Sequence, residues 1–170
     1  MPLADTLLRL AAGPRLYLPK WSDQIMVEVT RTLQETFGLS PQKAKYRESE
    51  IRRHFPEAWI EGYEDLIPAM TNHPKDRHVL AAAARAGVKV IVTYNLKDFP
   101  SSSLAPYAIT AQGPSAFLKS LYDMAPSAVI QTLKTQAAAI SQPMSYLLSR
   151  LSVNAPAFVG MIERTMNRDE

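Results

Sequence analysis

Asp76, Asn95 and Asp98 stand at the two ends of one apolar helix-strand unit, in the stretch "NHPKDRHVLAAAARAGVKVIVTYNLKDFP" from Asn72 to Pro100. Asn95 and Asp98 fall just past the apolar run "VKVIVT", and Asp76 falls in the first turn of the helix before it. In open α/β sheets ligands sit in the crevice beyond the carboxyl ends of the strands, where loops bring polar groups together. Oxygen-bearing side chains at such a place suit a ligand or a hard cation. Structural roles compete with that reading: a helix N-terminus favours an acid such as Asp76 for its own sake, and Asp98 can close an Asx turn. His73 and His78 flank Asp76, but they lack the i, i+4 spacing of a zinc helix and Pro74 lies between them, so zinc is not expected.

The elements that position these residues follow from periodicity. Leu3, Leu7, Leu8 and Leu10 predict an amphipathic helix stopped by Gly13 and Pro14. Ser22 is the expected N-cap of "DQIMVEVTRTLQETFG", with Ile25, Val29 and Leu33 on one face. Ser40 and Pro41 open a third helix, charged on most sides and expected at the surface. "AWIEGY" reads as a short strand and "EDLIPAM" as a helical turn interrupted by Pro68. A helix over Lys75 to Ala86, a Gly87 C-cap and a strand over Val88 to Thr93 come next, the strand apolar enough for burial on both faces of a parallel sheet. A further strand near "YAIT" follows the loop "FPSSSLAP". This order predicts an α/β layered fold. From Pro114 onward four helical patterns, each with Pro near its start, form an all-helical tail.

Composition sets the outer limits. A chain of 170 residues with 46% hydrophobic and 21% charged residues has the makeup of a globular protein. With no cysteine, disulfides and thiolate metal sites are excluded, and a reducing cytoplasm is the expected compartment. The start "MPLADTLLRLAAG" lacks the pattern of a signal peptide, and no segment reaches the roughly 18 apolar residues that cross a bilayer. Net charge is +3, a mild help toward a polyanion.

The segment "DRHVLAAAARAGVKVIVTYNLKDFP" resembles the most recognisable part of PIN-domain ribonucleases, especially the toxins of VapC-type toxin-antitoxin pairs. The likeness extends to "WSDQIMVEVTRTL", "LAPYAITAQGPSAFL" and "PLADTLLRLA", and so over most of Pro2 to Leu121. It implies a PIN-like parallel sheet flanked by helices over residues 1–113, with a helical C-terminal extension over 114–170. It also implies hydrolysis of RNA phosphodiesters to leave a 5′-phosphate, with Mg²⁺ or Mn²⁺ held by acids. Position by position, the resemblance gives Glu28, Asp76, Asn95 and Asp98 as metal-site residues, with Glu28, Asp76 and Asp98 as the catalytic acids. Hard divalent cations select oxygen ligands and lower the pKa of a bound water. As a structural alternative, Glu28 can pair with Arg31 one turn on. Lys97 and Arg77, beside the acids, are the expected RNA contacts.

Two departures from the family pattern stand out. The usual first strand and its Asp would precede "PLADTLLRLA", where this sequence has only Met1, so that strand is expected to be absent. His73 also stands where the relatives often carry an acid. Farther away, Lys43, Lys45, Arg47, Arg52 and Arg53 could meet phosphates and Tyr46 a base, but Glu48 and Glu50 are interleaved, which favours a plain solvated helix face. Two functions are therefore expected in competition: a metal-dependent toxin ribonuclease held by a cognate antitoxin, or an incomplete PIN-like fragment that binds RNA or protein without cutting. The sparse charge of the tail predicts burial against the main domain or in a homodimer.

Overall fold

The computed structural model describes residues 2–166; Met1 and the last four residues of the expected 114–170 extension lie outside them. The chain is α/β and mostly helical. Its α-helices are α1 (Pro2–Ala12), α2 (Asp23–Glu35), α3 (Pro41–His54), α4 (Arg77–Ala86), α5 (Ser101–Leu104), α6 (Pro114–Met124), α7 (Pro126–Ala139), α8 (Met144–Ser152) and α9 (Pro156–Met166). Strands β1 (Val90–Val92) and β2 (Thr110–Gln112) form a two-stranded sheet. Thr110 N–H donates to the Lys89 carbonyl and Thr93 N–H to the Gln112 carbonyl, which is the slanted register of a parallel pair.

Packing divides the chain into two units. The first runs through Leu18 and takes Val92–Tyr94 and everything from Gln112 onward; the second holds Pro19–Ile91 and Asn95–Ala111. In the first unit, α1 packs with α6 to α9 around Leu10, Leu118, Leu133, Leu147, Leu151 and Phe158. A buried polar pair explains why α1 belongs there: Thr6 Oγ1 donates to Gln136 Oε1 at 2.7 Å, and Gln136 Nε2 donates to the Pro2 carbonyl at 3.0 Å. The four prolines of the tail patterns sit at or just before the starts of α6 to α9, where a missing N–H costs nothing.

The second unit builds on α4. Ala81, Ala82 and Ala83 are buried, and their small side chains let the 3₁₀ turn Glu64–Ala69 lie close against the helix. Ile60, Tyr63, Met70, Leu80, Ile91, Phe99, Leu104 and Ile109 complete that core. Ser22 caps α2 by accepting from Ile25 N–H, and Ser40 caps α3 by accepting from Lys43 N–H. On α2 the fully buried positions are Met26 and Leu33, with Ile25 and Val29 only half-buried. As expected from its charge, α3 lies at the surface with Ala44 as its buried residue.

Three strand expectations are corrected, each for a local reason. In "AWIEGY" the 3₁₀ turn Pro56–Ala58 and the left-handed Gly62 leave only Trp59 and Ile60 extended, and they make a single parallel bridge with Trp21 because α2 starts directly after it. The strand expected over Val88 to Thr93 shrinks to β1, since Val88 N–H closes the end of α4 on the Ala83 carbonyl. Its expected burial on both faces also fails, for only Ile91 is buried and Val92 is exposed. The strand near "YAIT" begins three residues late, at Thr110, because Ala105–Tyr107 forms a 3₁₀ turn and Ala108 is left-handed. The loop "FPSSSLAP" contains α5.

Candidate active site

Each acid reaches its place through local chain geometry within the second unit. Pro74 follows His73 and starts the 3₁₀ turn Pro74–Asp76, with the His73 carbonyl accepting from Asp76 N–H at 2.9 Å. The His73 ring caps that turn, Nδ1 accepting from Lys75 N–H. Asp76 then occupies the N-cap position of α4, yet its carboxylate makes no capping hydrogen bond. The capping role that competes for this residue is thus unfilled. His73 Nδ1, which accepts from Lys75 N–H, lies 3.7 Å from Asp76 Oδ2.

Asp98 ends the 3₁₀ turn Leu96–Asp98, its N–H donating to the Asn95 carbonyl at 3.0 Å. Its own carbonyl accepts from His73 N–H at 3.1 Å, which joins the loop after β1 to the segment that opens α4. The Asp98 carboxylate takes no ion pair or hydrogen bond among the described residues. Glu28 projects from α2 with Oε1 3.5 Å from His78 Nε2, two residues beyond Asp76. His78 is buried and that nitrogen has no hydrogen-bond partner, because the separation is too long for a full bond. Glu28 therefore faces a histidine and not Arg31.

Asp76 opens α4, Glu28 faces His78 two residues on, and Asp98 is tied to the same segment through its backbone carbonyl alone; among the described residues none of the three carboxylates pairs with a lysine or arginine. Asn95 and Lys97 are exposed on the adjoining loop. Arg77 Nε reaches the Asn72 carbonyl at 3.4 Å. Asn72 is a residue that sequence reasoning passed over: only 2% exposed, it donates from Nδ2 to the Asp76 carbonyl at 3.0 Å and so fixes the turn that carries the acid. Its signal was the turn-forming cluster "TNHP".

The set does not fit a metal ion as placed. Among the described residues no three of His, Asp and Glu come close enough to share one cation, and two well-placed donors at most would leave a hard ion mostly to water. A concave groove on α2 and α3, lined by Val27, Thr30, Arg31, Gln34, Glu35 and Glu48, includes none of the candidate site residues. Also among the described residues, no helix is long and apolar enough to cross a membrane.

Compared with known proteins, the chain is similar to "Putative ribonuclease VapC50" of Mycobacterium tuberculosis (strain ATCC 25618 / H37Rv), at 47% identity over 112 residues. The match covers 63% of this chain and 65% of that protein, just under two thirds of its length. No family model matches the chain. No solved structure matches it.

Proposed function

We propose that this chain is a ribonuclease of toxin type with a PIN-like fold, in which Glu28, Asp76 and Asp98 supply the catalytic carboxylates. The observation that carries the reading is the 47% identity over 112 residues with a protein named as a ribonuclease. Two local features support it: the capping role open to Asp76 is left unused, and Glu28 faces His78 on the helix that Asp76 opens. An acid in such a position can accept a proton from water as the water oxygen bonds to phosphorus and the P–O3′ bond breaks; the departing 3′-oxygen takes a proton from solvent, leaving a 5′-phosphate and a 3′-hydroxyl. Lys97 and Arg77 would hold the phosphate through charge.

Among the described residues the carboxylates as placed do not make an ion site. Dependence on Mg²⁺ or Mn²⁺, with Asn95 as an added oxygen donor, comes from the resemblance. A cognate antitoxin, a homodimer and a cytoplasmic setting belong to the same reading. RNA or protein binding without cleavage is the second reading, favoured by the open arrangement of the acids.

The deciding experiment is cleavage of single-stranded RNA by the full chain with Mg²⁺, with Mn²⁺ and with EDTA, beside Asp76→Asn. Cleavage that needs an added ion and is lost in Asp76→Asn supports the first reading. RNA binding with no turnover under any condition gives the second.

A further inference from the structure

Asp76 opens α4 from a segment that the fold holds in place. Met70 is 2% exposed within the core of the second unit, and Thr71 Oγ1 donates to the buried Ser103 Oγ of α5 at 3.0 Å. Asn72 follows directly, itself buried, and its Nδ2 donates to the Asp76 carbonyl at 3.0 Å. The next residue works through its main chain on both sides. His73 N–H donates to the Asp98 carbonyl at 3.1 Å, and the His73 carbonyl accepts from Asp76 N–H at 2.9 Å. Asn72 and His73 thus bracket the turn Pro74–Asp76 and tie it to the turn Leu96–Asp98.

The bracket requires an amide at position 72. Its target is a carbonyl, which needs an N–H donor. Leucine would fill the space and donate nothing, and aspartate would set acceptor against acceptor. Stability alone does not require the amide: its buried Oδ1 has no hydrogen-bond partner among the described residues, and an apolar side chain of the same shape would be about as stable there. Asp76 in turn depends on the bracket. Its carboxylate makes no capping bond at the N-cap of α4, so the placing of that side chain falls to the main chain that carries it.

We propose that Asn72 is a positioning residue for Asp76: its side-chain N–H, on a segment anchored by Met70 and Thr71, sets the turn from which the Asp76 carboxylate acts, without itself touching substrate. The reaction it serves rests on the ribonuclease reading; the contact rests on the bracket. A displaced acid leaves RNA binding unchanged and slows bond breaking, since misplacement by about 1 Å can cost roughly 100-fold in rate.

The test compares the full chain with Asn72→Leu and Asn72→Asp, which lose the donor for different reasons, so that an effect common to both belongs to the missing N–H. Steady-state cleavage of a labelled single-stranded RNA should show kcat lower by about 10–100-fold, with KM within about twofold of the wild type. Amide hydrogen exchange followed by NMR should accelerate about tenfold or more at His73 and Asp76, whose N–H groups belong to the bracket, and keep wild-type rates at the buried Ala82 and Ala83 of α4. Asn72→Leu should melt within about 4 °C of the wild type. Unchanged kcat or unchanged exchange in both variants overturns the role. A fall in melting temperature beyond about 10 °C in both also overturns it, by making Asn72 a residue of the core. Chemistry and contact fail separately: faster exchange in the variants of a chain that never cuts defeats the ribonuclease reading alone, whereas a cutting chain indifferent to both variants defeats the role of Asn72 alone.

Discussion

Glu28 of α2 and His78 of α4 place Oε1 and Nε2 3.5 Å apart, with the imidazole buried and the carboxylate about one-third exposed. The pair ties the acid contributed by α2 to the helix that Asp76 opens. Glu28→Gln keeps the side-chain length and an oxygen facing His78 while deleting the charge. Stability should change by no more than about 1 kcal/mol, since the contact is too long to be a strong bond. RNA cleavage should fall by at least about 100-fold if the carboxylate takes part in proton transfer. Initial rates beside a thermal melt check both, and full activity in the variant would remove Glu28 from the site.

Many of the helix ends could be read from local punctuation. Ser22 and Ser40 mark helix starts by side-chain oxygen and Gly87 marks a helix end by backbone freedom, which are local properties, and all three mark them in the structure. Strand length was not local in the same way. Val88 reads as strand by its type, but its N–H is taken by the Ala83 carbonyl, and no apolar pattern reveals that competition. The placement of α1 with the tail helices was hidden for a related reason, because it depends on Thr6 meeting Gln136 across 130 residues of chain. At the site, the order of the acids along the chain was legible, but their mutual distances were not. Those depend on how α2 lies against α4, which side-chain periodicity does not encode.

Gly87 ends α4 with φ of +62°, its N–H donating to the Ala84 carbonyl. A methyl group there would meet no atom within 4 Å, so crowding is not the obstacle. The backbone is: a left-handed conformation costs an L-residue about 1–2 kcal/mol. Gly87→Ala should lower the melting temperature by roughly 2–8 °C, and Gly87→Asn by less, because Asn tolerates this region better. Differential scanning calorimetry of the two variants tests the order; equal stability of Gly87→Ala and wild type would contradict the assigned φ.

The buried Thr6 and Gln136 should show strong non-additivity. Thr6 has one hydroxyl proton for two acceptors, the Gln136 Oε1 at 2.7 Å and the Pro2 carbonyl at 2.9 Å. Gln136→Leu keeps the volume and lets the hydroxyl turn to Pro2, so the loss should be about 1–2 kcal/mol. Thr6→Val instead strands the buried Gln136 oxygen and should cost about 1–3 kcal/mol. The double variant leaves no stranded side-chain polar group and should be less destabilised than the sum of the two. Urea titrations of the four proteins give the coupling energy, and strict additivity would mean that the two side chains do not meet.

Tyr17 supplies a pH-dependent contribution to the first unit. Its hydroxyl donates to the Leu7 carbonyl at 2.8 Å and its ring meets Phe117 edge-on at 5.0 Å. Burial pushes the phenol well above its ordinary value, because the phenolate would lose its hydration. The folded state therefore keeps the proton to higher pH than the unfolded chain, whose tyrosines titrate near about 10. It follows that this contribution is complete below pH ~10 and is lost as pH climbs through and above that point. Tyr17→Phe retains the ring contact and removes both the hydrogen bond and the titration. At neutral pH it should be less stable by about 0.5–1.5 kcal/mol, and between pH ~10 and ~11 its stability should fall less steeply than that of the wild type. Parallel alkaline slopes in denaturant titrations would show that the Tyr17 hydroxyl ionises freely in the folded chain.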